Sequence, residues 1–376
     1  MKFRVAPAWL MFMACSHPDP FSYNAPDVGP STAGADVLLT QNAVNYWPTL
    51  TEDRSGVLYA YIDESEAPVR PISQFESPPY VVGPLHIHRC MGEVPVNGGT
   101  RHWEFCDRRA SEIDSLTSLT AFAMGSDGRL IYAESTTPRR FTFDSTRVSL
   151  WLADSATPFR RTLLVRLPIV VGDNLVNWIG DLTWTGPTTF LALGQRMTLT
   201  SHGATSLFDS SFSGQGILRG TTSVGPVSLT PVPGTIGATA YAVTDSGRSI
   251  VFAQLDSTNL LKVPISGGAP MPVASGVAAA GAQVVGLSCT GARCVVAIGA
   301  GGPSLLRSVN LTTGAVATVF TSGQAMSMPL LTGSGDVIVQ VGPGFGRIRT
   351  LQAAVDANNP SRPVLTLHLY KGLVAP

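Results

Sequence analysis

Two histidines one residue apart, His86 and His88, are the best metal-binding candidates in this chain of 376 residues. On a β-strand, positions i and i+2 share a face, so both imidazoles could serve one ion. Further donors are then required. His102 and Glu104 share that face if the chain forms a hairpin turning at Asn97-Gly98-Gly99. In that register His102 faces Val94 and His88 faces Arg108. Position 88 lies six residues along the strand from position 94, or about 20 Å. Distance and a cationic neighbour both oppose the site, so no metal and no cofactor are expected. Catalytic patterns are equally sparse: there is no Gly-x-Ser-x-Gly elbow and no His-Glu-x-x-His. Gly342-Pro343-Gly344-Phe345-Gly346 lacks the following helix that would aim amides at a phosphate. Asp63-Glu64-Ser65-Glu66 lacks the spacing of a calcium loop. No catalytic residue is expected.

The five cysteines carry more information. If Gly291-Ala292 is a two-residue turn, Thr290 faces Arg293 and Cys289 faces Cys294. Around Asn97-Gly98-Gly99, Val96 faces Thr100 and, six pairs further, Cys90 faces Cys106. Directly opposed cysteines satisfy disulfide geometry. Two such pairs imply an exported, oxidising compartment. Cys15 is then left over. Lys2 and Arg4 precede an apolar run, Val5 to Ala14, too short to span a bilayer but suited to a signal peptide. Phe12-Met13-Ala14-Cys15 resembles the bacterial lipobox, with Phe12 where Leu is usual. The resemblance implies lipidation of Cys15, and Ser16 after it implies outer-membrane sorting. Residues 1–14 read as the signal peptide and 15–34 as a Pro- and Gly-bearing flexible tether. No later stretch reaches 18 uninterrupted apolar residues, so membrane contact is expected through the lipid only.

Composition narrows the class. Lys+Arg 25 balance Asp+Glu 25, and only 13% of residues are charged. A nucleic-acid binder needs a basic surface that this balance does not supply. An apolar fraction of 44% excludes a disordered chain.

The elements that must position any site repeat along residues 35–372. An apolar strand, a Gly/Asp turn and a second apolar strand recur six times, turning at 53–56, 126–129, 186–187, 245–248, 291–292 and 333–336. Second hairpins follow, as in Leu260 to Ala274 around Ser266-Gly267-Gly268, Leu305 to Phe320 around Thr312-Thr313-Gly314, and the Cys90/Cys106 hairpin. Period-two alternation is visible, as in Ser249-Ile250-Val251-Phe252-Ala253. Helical periodicity is confined to Leu351 to Val355. Four strands per unit imply an all-β chain, a six-bladed β-propeller of four-stranded antiparallel blades; a double β-sandwich is the alternative. Gly125-Ser126-Asp127-Gly128-Arg129-Leu130-Ile131-Tyr132 and Thr244-Asp245-Ser246-Gly247-Arg248 resemble the Ser-Pro-Asp-Gly turns of TolB-type six-bladed propellers, with the Pro missing and no preceding α/β domain. That resemblance implies the fold and no binding residue. The last unit lacks a fourth strand after Tyr370, so Ala35 to Gln41 is expected to pair with Pro363 to Tyr370 and close the ring.

In such a ring, connections between second and third strands share one face. Four are expected to be long, at 63–79, 136–146, 195–214 and 342–363, while turns on the opposite face are short throughout. Insertions on one face mark a binding surface. Phe75, Tyr80, Arg139, Arg140, Arg196, Phe345 and Arg347 give it the aromatic and arginine composition of recognition surfaces. The inner strands 44–50, 119–124, 239–243 and 326–331 contain no acid, histidine or lysine. The expected function is therefore non-catalytic binding or scaffolding of an envelope protein or cell-wall component. The rival is a propeller hydrolase or lyase acting on a carbohydrate or lactone at the central channel.

Overall fold

The computed structural model describes the backbone over 36–38, 43–50, 56–63, 85–91, 93–96, 100–103, 108–113, 118–125, 127–136, 147–153, 161–168, 175–201, 208–222, 227–299, 304–323, 325–342, 355–356, 359–363 and 366–374. Side chains are described over 121–125, 127–134, 148–153, 161–168, 177–196, 214–222, 227–299, 304–323, 326–341 and 368–374.

The fold is an all-β propeller with four-stranded antiparallel blades. Its strands form six four-stranded sheets and two small two-stranded ones. The first sheet runs Ala43–Leu50, Gly56–Asp63, Leu85–Met91, Arg108–Ile113 from inside outward. The second runs Ser118–Met124, Leu130–Thr136, Arg147–Ala153, Arg161–Arg166. The third is Leu175–Trp184, Thr189–Ser201, Phe208–Thr221, Thr230–Pro231, and the fourth Ala238–Thr244, Ser249–Gln254, Leu260–Pro264, Met271–Ala274. The fifth is Gln283–Thr290, Arg293–Gly299, Ser304–Asn310, Val316–Ser322. The sixth takes Ala325–Leu331, Val337–Gly342 and Thr366–Tyr370, then Asp36–Leu38 from the other end of the chain. There Asp36 pairs with Tyr370, Val37 with Leu369 and Leu38 with His368. The chain thus closes on itself as expected, and the third strand of the last sheet has no open edge at these positions.

Period-two alternation explains how the sheets stack. A second strand is buried on both faces, and each face packs on a different neighbour. Ile250 and Phe252 join Leu191 and Leu193 of the third sheet. Their neighbours Val251 and Ala253 join Cys294, Val296 and Ile298 of the fifth. Val295 and Ala297 face Val337 and Val339 of the sixth. Each fully buried aliphatic or aromatic side chain contributes about 1.5–3 kcal/mol. Outer strands are far more exposed, as Met271–Ala274 and Val316–Ser322 show. The innermost strands touch in sequence: Ala43–Leu50 meets Ser118–Met124, that strand meets Leu175–Trp184, Ala238–Thr244 meets Gln283–Thr290, Gln283–Thr290 meets Ala325–Leu331, and Ala325–Leu331 meets Ala43–Leu50 again. Contacts between Thr189–Ser201 or Phe208–Thr221 and Ala238–Thr244 link the third sheet to the fourth.

Four expectations are corrected. Positions 195–214 are not a long loop: Thr189–Ser201 and Phe208–Thr221 stay paired out to Ser201 and Phe208. Met197, Thr198, Leu199 and Thr200 alternate and suit a pleated strand. The hairpin at Asn97-Gly98-Gly99 has the expected register, Val94 with His102 and Val96 with Thr100. It is, however, a separate two-stranded sheet inserted between the third and fourth strands of the first sheet, so the connections on that face are not uniformly short. His88 pairs with Arg109 rather than Arg108, because a register shift leaves Ala110 without a direct partner. Val355 belongs to a small hairpin, Val355–Asp356 with Asn359–Pro363, rather than to a helix.

Among the described residues, innermost hairpins turn where expected at 186–187, 245–248, 291–292 and 333–336. Cys289 lies opposite Cys294 and Thr290 opposite Arg293. The two cysteines form a disulfide with a Cα separation of 4.0 Å. Among the described residues, no helix is long and apolar enough to cross a membrane.

Candidate functional site

The centre of a propeller is walled by its innermost strands, and here all six share a backbone feature. Each slips register against its second strand partway along: at Trp47-Pro48, Thr120, Gly180-Asp181, Thr239, Val285 and Met328-Pro329. A bulge places extra residues on one strand and re-aims the chain locally. Met328 takes a left-handed φ of 51°, an uncommon state for a residue with a side chain. Packing against the next sheet holds it there. The Cα of Gly286 lies so close that a Cβ there would meet Pro329 Cδ at 2.4 Å and Met328 N at 2.9 Å.

Cross-links between sheets cluster on these inner strands. Thr239 Oγ1 donates to Val284 O of the fifth sheet at 3.3 Å, or to Ala253 O of its own sheet at 3.4 Å. Thr290 Oγ1 donates to Leu331 O at 2.9 Å, and Leu331 N donates to Ser288 Oγ at 3.0 Å. Trp184 Nε1 donates to Ala123 O, and Tyr241 O–H to Leu191 O. At the first-to-second turns, arginine repeats one device. Arg129 donates to Pro187 O of the next turn, and Arg293 to Gly333 O.

Charge is nearly excluded from this wall. Of the six innermost strands, only Leu175–Trp184 holds a charged residue, Asp181. Asp181 is half-buried, and its Oδ1 accepts from Leu182 N at 2.8 Å. Asp181 lies five residues before the Gly186-Pro187 turn, on a long strand that the turn alone does not delimit. The alternation of Leu175, Asn177, Ile179 and Asp181 against Val176, Trp178 and Leu182 was the available signal.

The face that carries second-to-third connections is described best at the third sheet. Arg196 lies on the long hairpin and is exposed. It sits opposite Asn177 on one side and Ser213 on the other. Gln215 is the extra residue of a bulge beside Gly194 and Gln195. With its amide oxygen turned to Arg196, it accepts from Nε at 3.1 Å and Nη2 at 3.2 Å. Asn177 Nδ2 donates to Pro168 O. Ile236, on the fourth-to-first connection between the third and fourth sheets, opens on the same face and is 76% exposed. Its carbonyl accepts from Gln254 Nε2 at 2.8 Å. Composition could not flag it, since exposure of one isoleucine is decided by the flanking Gly234 and Gly237 turn. Phe75, Tyr80, Arg139, Arg140, Phe345 and Arg347 lie outside the described residues, as do Cys15 and Cys106. Cys90 lies on Leu85–Met91, with its backbone opposite Val57.

A second polar group lies within the second sheet. Glu134 is 5% exposed and accepts from Arg161 Nη1 at 3.2 Å. The same nitrogen reaches Tyr132 Oη at 3.3 Å, and the guanidinium lies 4.2 Å over the Trp151 ring. Burial raises the Tyr132 hydroxyl above the ordinary phenol range, so it stays protonated while accepting from Arg161. A paired, stacked arginine of this kind locks side chains in place rather than leaving a reactive group. Among the described residues, no cluster of three metal-ligating side chains occurs.

No protein-family model matches the chain, and no curated protein matches it. Among solved structures, TolB from Acinetobacter baumannii is similar over 76% of this chain at 13% identity and a TM-score of 0.44. The match spans 56% of the TolB chain. The periplasmic gluconolactonase of Pseudomonas aeruginosa is similar over 87% of this chain and 88% of its own, at 14% identity and a TM-score of 0.42. A gluconolactonase from Xanthomonas campestris is similar over 92% of this chain and 98% of its own, at 11% identity and a TM-score of 0.44.

Proposed function

We propose that this chain is a lipid-anchored, extracytoplasmic propeller that binds an envelope protein or cell-wall component through its second-to-third-connection face. The carrying observation is the composition of the channel wall, where six innermost strands hold one charged residue, Asp181. Catalysis at a channel needs several titratable groups converging on one reacting atom. Binding needs exposed apolar and guanidinium groups on one face, which Ile236 and Arg196 supply. Six blades in one ring are part of the proposal, supported by the order in which inner strands touch and by the return of Asp36–Leu38 to the last sheet. Cys15 is the lipidated residue, residues 1–14 the signal peptide and 15–34 the tether. Cys90 and Cys106 pair in the same oxidising compartment.

The test is site-specific photo-crosslinking in cells that express the full chain. A photoreactive residue at Arg196 or Ile236 should trap an envelope component, and one at Met271, exposed beside a third-to-fourth turn, should not. Equal capture from both faces overturns the proposal. One observation favours the rival hydrolase or lyase, namely Asp181 at a bulge in the wall. Turnover of a lactone or glycoside that Asp181→Asn abolishes would establish that reading instead. Cys15→Ser should release the protein from membranes, and wild type that incorporates no labelled fatty acid refutes the anchor.

A further inference from the structure

The rim of the ring is formed by the outermost strand of each four-stranded sheet. An outer edge presents backbone N–H and C=O groups that can template another strand, and natural sheets blunt it with charge, proline or shortness. Five of the six outer strands are blunted in this way. Arg108–Ile113 carries Arg108, Arg109 and Glu112, and Arg161–Arg166 has an arginine at each end. Met271–Ala274 contains Pro272, Thr230–Pro231 is two residues long, and Asp36–Leu38 is three. The outer strand of the fifth sheet, Val316–Ser322, reads Val-Ala-Thr-Val-Phe-Thr-Ser, with no charge and no proline. Its flanks supply none either, since no charged residue or histidine occurs between Arg307 and Asp336. A bulge does not set this strand apart. Ala110, Leu164 and Val273 are extra residues in other outer strands just as Val319 is in this one.

This edge is firmly built. Val316 packs on the core shared by the fourth and fifth sheets, and Val319 and Phe320 on the core shared by the fifth and sixth. The Phe320 and Tyr370 ring centroids lie 4.4 Å apart. Asn310 Oδ1 accepts from Thr312 N at 2.9 Å and Thr313 N at 3.1 Å, which fixes the turn leading into the strand. The inner edge pairs with Ser304–Asn310, and among the described residues no strand lies on the outer edge. Ala317, Thr318 and Thr321 are exposed. We propose that 316–321 is a self-association edge: a second copy of this chain adds its own 316–321 antiparallel to it, joining two fifth sheets across a two-fold axis. Symmetry selects this occupant. An edge that meets itself about a two-fold axis pairs its own amides with its own carbonyls, so each copy brings the complement it needs. Charge opposes the same arrangement at Arg161–Arg166, where it would set Arg161 against Arg166. In 316–321 no residue meets a like charge. Six residues of strand edge run about 20 Å, and sheets pack about 10 Å apart, so each copy contributes about 200 Å². A standard interface takes about 800 Å² per partner, so the pair is weak and forms as concentration rises. The edge lies on the rim and does not depend on the proposed binding face.

The experiment is sedimentation equilibrium of the full chain, disulfides intact, from about 1 μM to about 1 mM. A monomer–dimer equilibrium is expected. Ala317 is exposed and lies opposite Ser308 on the inner neighbour, so a charge there meets none in its own sheet. Ala317→Lys and Ala317→Glu should each weaken dimerisation at least about tenfold, because the two-fold axis brings like charges close. Mixing the two variants should restore association as a heterodimer, a result that damage to the fold would not give. Thr162→Lys, at an exposed position on the outer strand of the second sheet, should leave dimerisation unchanged. A chain that stays monomeric throughout overturns the proposal. So does a dimer that survives both Ala317→Lys and Ala317→Glu, or a mixture of the two that fails to associate. Growth beyond the dimer without a plateau also overturns it, since a two-fold pair is closed.

Discussion

Replacing Gly286 with alanine tests how tightly the innermost strands press together. Gly286 has no left-handed φ, so the substitution meets no backbone penalty of its own. Its cost is steric. The new Cβ would sit 2.4 Å from Pro329 Cδ and 2.9 Å from Met328 N, both in the neighbouring inner strand. Reaching ordinary contact requires about 1 Å of separation. The neighbour resists that movement, because Leu331 is bonded on both sides to Ser288 and Thr290. Overpacking of this kind costs about 1–3 kcal/mol, and a rigid backbone neighbour puts it near the upper end. Against it stands about 0.4–1 kcal/mol from a stiffer unfolded chain, leaving a net loss of about 2 kcal/mol. For a domain of about 340 residues that lowers the melting temperature by about 3 °C. The matched controls are Gly323→Ala and Gly333→Ala, where nothing lies within 4 Å of the added carbon. They should be neutral or slightly stabilising. The assay is thermal unfolding followed by circular dichroism with the three variants in parallel. If Gly286→Ala melts with the controls, the close approach of the fifth and sixth sheets is wrong.

Other outcomes can be checked on the same protein. Cys289→Ala with Cys294→Ala should cost about 2 kcal/mol, the chain-entropy value for so short a loop, read from urea midpoints under non-reducing conditions. A chain starting at Asn42 lacks the strand that pairs with Thr366–Tyr370, so it should melt well below the full chain; unchanged melting would refute closure. Hydrogen bonding to Lys262 holds the Asp245 carboxyl below its ordinary value of 3.8. A depressed carboxylate stabilises the fold above its unfolded pKa, and the contribution is lost as pH falls through the folded one. Lys262→Gln should therefore destabilise near neutrality, and its difference from wild type should disappear in acid, a trend that unfolding at pH 2 and pH 7 would measure. Arg293→Ala removes the donor to Gly333 O and should speed amide exchange at 333–336 more than elsewhere.

Local chemistry in the sequence determined the strand pairs. Glycine and aspartate turns set the innermost hairpins among the described residues, and the opposition of Cys289 and Cys294 followed from a two-residue turn, because hairpin register is fixed by loop length. The closing strand was legible for a related reason. An apolar segment without a partner at one end matched a sheet one strand short at the other. What depended on distant parts of the chain could not be read this way. Asp181 and Gln215 sit at bulges where paired strands slip register, and no local pattern records such slips. Sequence spacing kept His102 far from His86, and the fold puts the backbone of Glu112 opposite His86 because the intervening chain forms its own hairpin. Alternation tells which residues share a face. Only the tertiary arrangement decides what that face meets, since the packing free energy of a blade belongs to the pair of sheets and not to either alone.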